Sequence, residues 1–162
     1  MIYIISGPIN TGKTSWLLQD FKKYPESDGF ACRKVRENGE HIGYELVHLK
    51  TGETCQFIRK IEHIPESWNE GFRLGCHYSF NCEGLSFAEK IAENALSNSI
   101  QRFYLDEVAH LELRGEGFSK ILKKLIAAKI DLVLVVREAL VEKLTQAYGI
   151  NAYKVVTPVF DK

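Results

Sequence analysis

The sequence predicts a single α/β domain over residues 1–162, with a mostly parallel sheet, helices on both faces and a small antiparallel hairpin insertion. Three observations carry that expectation. Nearly solid apolar runs such as Met1–Ile5 and Ile130–Val136 alternate with stretches of helical period, as strands buried on both faces of a parallel sheet require. Between them, residues 29–58 alternate around Asn38-Gly39 and Thr51-Gly52, which reads as antiparallel hairpins. The segment Gly7-Pro8-Ile9-Asn10-Thr11-Gly12-Lys13-Thr14 fits Gly-x-x-x-x-Gly-Lys-[Ser/Thr] directly after the first strand.

Taken in order, Met1–Ile5 is the first strand, and a helix carrying Trp16, Leu17, Leu18 and Phe21 runs until Pro25 closes it. Gly29–Val35 is a strand. Ile42–Leu49 and Cys55–Ile58 complete the hairpins, while residues 59–75, with Pro65, Trp68 and two glycines but no sustained period, are expected to form a loop near the nucleotide. Cys76–Phe80 is a short strand, and Ser86–Ser97 has apolar residues at helical spacing. Ile100–Leu105 is the next strand. A helix over Phe118–Ala128, a strand over Ile130–Val136, a helix over Glu138–Ala147 and a strand over Ala152–Thr157 finish the chain.

Ligands of parallel sheets gather at the carboxyl ends of strands, so the residues just past each apolar run are the candidates for chemistry. In the first, Gly7 and Gly12 let the backbone turn so that successive N–H groups face phosphate oxygens beside a helix N-terminus, with Gly7, Pro8, Ile9, Asn10, Thr11, Gly12, Lys13, Thr14 and Ser15 as the nucleotide-binding residues. Lys13 reaches the β and γ phosphates and Thr14 places its hydroxyl on Mg²⁺. The second end is Asp106-Glu107. An acidic residue there can hold Mg²⁺ opposite the loop threonine, and Glu107 beside it can orient and deprotonate an attacking water. The third is Arg137, after Leu132–Val136. Against these stand plainer readings: a solvated helix start for Asp106-Glu107 and a surface charge for Arg137.

Composition narrows the partners. Lysine plus arginine and aspartate plus glutamate number 21 each, so no broad basic face speaks for nucleic acid, and no run of 18 apolar residues or export signal speaks for a membrane. A soluble cytoplasmic protein acting on a nucleoside triphosphate is the expectation, with any protein partner left open. Cys32, Cys55, Cys76 and Cys82 lie among His41, His48, His63 and His77 without Cys-x-x-Cys spacing, and are read as reduced thiols.

The chain resembles the thermophile-type nucleoside-triphosphatase family, which includes the human cancer-related nucleoside-triphosphatase. Members carry a phosphate loop near the N-terminus, then a Gly-Phe strand leading to Glu-Val-Arg and a glycine turn, as in Gly29-Phe30 through Val35-Arg36 and Gly39 here. Their second motif, Asp-Glu-Ile-Gly-Lys-Met-Glu-Leu followed by phenylalanine, is matched by Asp106-Glu107-Val108-Ala109-His110-Leu111-Glu112-Leu113 and Phe118. An arginine after the next strand matches Arg137. Departures fall at Lys34, Ala109 and His110 and leave the loop, Asp106, Glu107, Glu112 and Arg137 in place. The resemblance implies a RecA-like P-loop NTPase core that hydrolyses ATP, GTP and other nucleoside triphosphates with Mg²⁺ and little base selectivity. No Asn-Lys-x-Asp guanine motif is present. A small-molecule kinase and a non-catalytic nucleotide-binding adapter would use the same loop and stay open at this point.

Overall fold

The computed structural model describes residues 1–159, so the last three residues of the span read as one domain lie outside the described residues. All nine strands join one sheet. They are β1 (Ile2–Ile5), β2 (Asp28–Glu37), β3 (Glu40–His48), β4 (Thr54–Lys60), β5 (Glu70–Leu74), β6 (Tyr78–Asn81), β7 (Arg102–Val108), β8 (Asp131–Val136) and β9 (Lys154–Val156). Their order across the sheet is β5-β6-β4-β3-β2-β7-β8-β1-β9. The helices are α1 (Lys13–Phe21), α2 (Cys82–Ser97), α3 (His110–Leu113), α4 (Ser119–Ala127) and α5 (Val141–Ala147).

Strict alternation along the central strands builds two cores. Leu17 of α1 buries against Ile5, Tyr104, Val133 and Val135 on one face. Ile4, Phe103, Leu105, Leu132, Leu134 and Val136 point to the other face, where α2, α4 and α5 cover them. A strand buried on both sides has no polar position to give up, which is why β1 and β8 read as solid apolar runs. Helices on both faces are therefore as expected.

The sheet itself is evenly mixed rather than mostly parallel. β1–β8, β1–β9, β2–β7 and β7–β8 pair in parallel, while β2–β3, β3–β4, β4–β6 and β5–β6 pair antiparallel. Nor are residues 29–58 a separate insertion. β2 lies beside β7, with Gly29 opposite Tyr104, and carries the antiparallel half as a continuation of the parallel one. Residues 59–75 are not a loop over the nucleotide: β4 extends to Lys60, a 3₁₀ turn spans Ile61–His63, and Glu70–Leu74 is the edge strand. That strand pairs on one side only and is largely exposed, so it lacks the buried alternation by which strands are recognised.

Several boundaries differ from expectation: the strand expected over Cys76–Phe80 is Tyr78–Asn81, the last strand is Lys154–Val156, and the helix expected from Glu138 opens with a 3₁₀ turn over Glu138–Leu140. The α2 helix begins at Cys82 because Asn81 caps it, its side chain accepting from Glu83 N at 2.9 Å. The four-residue α3 was not expected at all. It is held by Glu112, whose carboxylate accepts from Ala109 N at 2.8 Å and Phe118 N at 2.9 Å. Gly117 makes this loop possible: its φ is +58°, and a Cβ there would sit 2.5 Å from Glu112 Oε1.

Candidate active site

Four strand ends meet at one edge of the sheet. After β1, the backbone of residues 7–12 curls through Asn10 at φ 59° and Gly12 at φ 75° before entering α1, whose first turn has no side-chain cap. Its amides are thus directed into the loop. Thr11 Oγ1 ties the turn by donating to Pro8 O at 2.7 Å, and Lys13 Nζ spans it, donating to Gly7 O at 3.1 Å and Pro8 O at 2.6 Å. An ammonium resting on neutral carbonyls can exchange them for phosphate oxygens, which are stronger acceptors.

Thr14 joins the loop to the end of β7. Its hydroxyl donates to Asp106 Oδ2 at 3.0 Å, and Cys32 N of β2 donates to the same oxygen at 3.1 Å. Asp106 is fully buried, and its Oδ1 has no hydrogen-bond partner. Burial, then the neighbouring Glu107 charge, pushes its pKa up to about 7, against the opposing hydrogen bonds from Cys32 N, Thr14 and the Glu107 backbone. A buried carboxylate with an orphaned oxygen and a hydroxyl on its other oxygen fits a divalent cation, whose charge offsets the desolvation. Among the described residues no group of three or more His, Cys, Asp or Glu could hold a metal. A magnesium site completed by phosphate oxygens and water does not need one.

Glu107 owes its position to an irregularity. Leu105 pairs with Leu134 and Val108 with Val136, so β7 holds one more residue than β8 over this interval. The extra residue leaves Glu107 exposed at φ 60°, a left-handed conformation that costs a non-glycine residue about 1–2 kcal/mol. Strain of this kind concentrates at working sites. The bulge buries Asp106 and turns Glu107 out into the cleft.

That cleft has a volume of about 590 Å³, within the range of small-molecule sites. Residues 9–15 form one wall; Arg33, Lys34, Tyr44, Glu107 and Arg137 stand across from it. Four of these side chains, Lys13, Arg33, Lys34 and Arg137, are cationic and suit a polyanion. Gly7, Pro8 and Asp106 do not line the cleft but are tied to it, the first two accepting from Lys13 Nζ and Asp106 from the Thr14 hydroxyl. Arg137 is exposed just past β8, ahead of the 3₁₀ turn Glu138–Leu140.

Three features escape a reading of strand ends confined to β1, β7 and β8. Arg33 and Lys34 follow the buried Phe30-Ala31-Cys32 of β2, and the same rule applied there would have found them. Lys34 Nζ lies 3.5 Å from Asn10 Oδ1 of the loop, whereas Arg33 Nε is engaged by Glu45 Oε1 at 2.6 Å. Tyr44 gave no local signal, since only pairing with Lys34 brings it to the cleft. Glu112, matched by the family motif, spends both carboxylate oxygens on the α3 loop, and Arg36 turns back to Gly39 O at 3.4 Å.

Fold and loop together define a phosphate-loop α/β protein. The NTPase family model matches residues 2–159, and the chain belongs to that family of nucleoside-triphosphate-hydrolysing enzymes. It is 25% identical to nucleoside-triphosphatase THEP1 of Thermotoga sp. (strain RQ2) over 142 residues, covering 86% of this chain and 75% of the relative. With the THEP1 of Saccharolobus solfataricus it shares 29% over 137 residues, 81% of this chain and 73% of the other. The crystal structure of THEP1 from the hyperthermophile Aquifex aeolicus has the same fold, with a TM-score of 0.72 at 18% identity over 97% of this chain and 89% of that one.

Proposed function

We propose that this chain hydrolyses nucleoside triphosphates, ATP and GTP among them, to the diphosphate and inorganic phosphate with Mg²⁺ and little base selectivity. The observation that carries this reading is the Thr14–Asp106 contact, which sets loop, buried carboxylate and Glu107 around one cleft. Backbone amides of residues 9–14 and the Lys13 ammonium bind the phosphates and neutralise them. Thr14 and Asp106 hold Mg²⁺, which when bound offsets charge on the β and γ phosphates. Glu107, whose carboxylate has no side-chain partner among the described residues and lines the cleft, accepts a proton from the attacking water. The water oxygen bonds to the γ phosphorus as the bond to the β-phosphate oxygen breaks. Arg137 donates two parallel hydrogen bonds to the phosphoryl group as charge builds on it.

Phosphate release is measured with ATP, GTP, CTP and UTP, with Mg²⁺ and with excess chelator. All four should turn over at comparable rates with Mg²⁺ and stop without it, and Lys13→Ala should lose both nucleotide binding and turnover. Hydrolysis by Lys13→Ala at the wild-type rate would refute the assignment of the loop.

A further inference from the structure

The phosphate cleft continues past Glu107. A second cavity of about 230 Å³ shares Cys32, Tyr44, Glu107 and Arg137 with it, yet no residue of the phosphate loop lines this one. It therefore extends from the Glu107 and Arg137 end of the cleft away from the phosphate loop. Its floor is aromatic: Phe57, Phe80 and Phe118 are 3%, 3% and 2% exposed. Phe57 stacks on Phe118 with centroids 5.3 Å apart and meets Phe80 edge-on at 5.4 Å. Tyr44 of β3 and Tyr78 of β6 stand on the same face of the antiparallel strands, with Ile58 between them.

Hydrolysis does not call for such a chamber, because water is small and polar and gains nothing from an aromatic wall. A ring does. An apolar cavity of about 150 Å³ already holds benzene, so this one accommodates a single ring with a short side chain. Of its polar groups, the Glu112 carboxylate is spent on backbone amides, while Glu107 and Arg137 face both cavities. A hydroxyl carried on the ring would meet the group that takes the proton and the group that holds the γ-phosphoryl.

We propose that this cavity is an acceptor site for a single-ring aromatic alcohol, and that the enzyme transfers the γ-phosphoryl group to that alcohol in competition with water. The proposal rests on the phosphoryl-transfer reading above. The alcohol oxygen forms a bond to the γ phosphorus, and the bond to the β-phosphate oxygen breaks. The hydroxyl proton passes to Glu107 and on to solvent, leaving a phosphate monoester and the nucleoside diphosphate. An in-line displacement requires the acceptor to enter opposite the leaving diphosphate, and this cavity opens beyond Glu107, on the side away from the phosphate loop. Arg59 and Arg73, the arginines of 59–75, take no part: Arg59 is buried beside Trp68, and Arg73 pairs with Glu70.

The test uses the full chain with benzyl alcohol, 2-phenylethanol and 4-hydroxybenzyl alcohol. Binding is read by saturation-transfer NMR without nucleotide or metal. Transfer is read by incubating each alcohol with Mg²⁺ and ATP labelled at the γ-phosphate, then separating labelled ester from inorganic phosphate. At least one alcohol should bind and yield ester. Leu74→Trp and Ile58→Trp, which place an indole in the cavity, should each cut ester formation about tenfold or more, the scale of ~1.4 kcal/mol lost from acceptor binding. Leu74 is 39% exposed, so that substitution leaves the core untouched. Inorganic phosphate without ester, no binding by any of the three, or ester formed equally by both variants overturns the acceptor site. Absence of both products overturns the hydrolase reading along with it.

Discussion

Replacing Glu107 by glutamine and, separately, by glycine separates its chemistry from its backbone. Glutamine keeps the shape of the side chain and cannot take a proton, so turnover should fall about 10²–10⁴-fold while Mg-nucleotide affinity is unchanged. That loss corresponds to roughly 3–5 kcal/mol in the barrier. Glycine removes the carboxylate as well and should be at least as inactive. Its effect on stability has the opposite sign. Glu107 sits at φ 60° and is exposed, so glycine relieves about 1–2 kcal/mol of left-handed strain without emptying any packed space. Against this stands about 0.4–1 kcal/mol for the greater freedom glycine gives the unfolded chain. The net lies between about 0 and 1.6 kcal/mol in favour of glycine, and for a chain of 162 residues that raises the melting temperature by up to about 3–6 °C. Phosphate release and thermal unfolding followed by circular dichroism measure the two effects. An inactive variant that melts higher is the expected pair. A glycine variant melting below wild type would show that residue 107 carries no strain, and glutamine retaining more than about a tenth of wild-type turnover would place the base elsewhere.

Three further substitutions probe the rest of the framework. Arg137→Lys should bind nucleotide as wild type does and turn over about 10²-fold more slowly, the scale for losing one transition-state donor; full turnover would make Arg137 a plain surface charge. Gly117→Ala forces a Cβ to within 2.5 Å of Glu112 Oε1 at φ +58° and frees the buried Phe118 amide, so urea unfolding should show a loss of about 2–4 kcal/mol. An unchanged midpoint would mean the α3 loop does not depend on that carboxylate. At the opposite edge of the sheet, Arg102 Nη1 lies 3.2 Å from Asp20 Oδ2, with its guanidinium 3.8 Å from the Tyr24 ring centroid and 4.9 Å from that of Tyr3. Arg102→Met, which leaves the nearly buried Asp20 carboxylate only the Tyr104 hydroxyl at 2.9 Å and Lys23 Nζ at 3.6 Å, should cost about 1.5–3 kcal/mol, and adding Asp20→Leu should recover part of it. Equal stability of the single and double variants would contradict this.

The sequence by itself determined the parallel half of the sheet and named the candidate reacting groups. Strands β1, β7 and β8 announce themselves because burial on both faces leaves only apolar residues, and the phosphate loop because its backbone path demands glycine before Lys13-Thr14. Both are short-range requirements, visible in adjacent residues. Tertiary structure decided what depends on pairing between distant segments. The edge strand Glu70–Leu74 exists through its hydrogen bonds to β6, Tyr44 reaches the cleft through its register with Lys34, and Thr14 finds Asp106 92 positions away. Even where Asp106-Glu107 was legible, the chain order did not say which carboxylate would be buried. One extra residue of β7 against β8 settles that, sending Asp106 inward and Glu107 out, because register is a property of two strands and neither contains it alone.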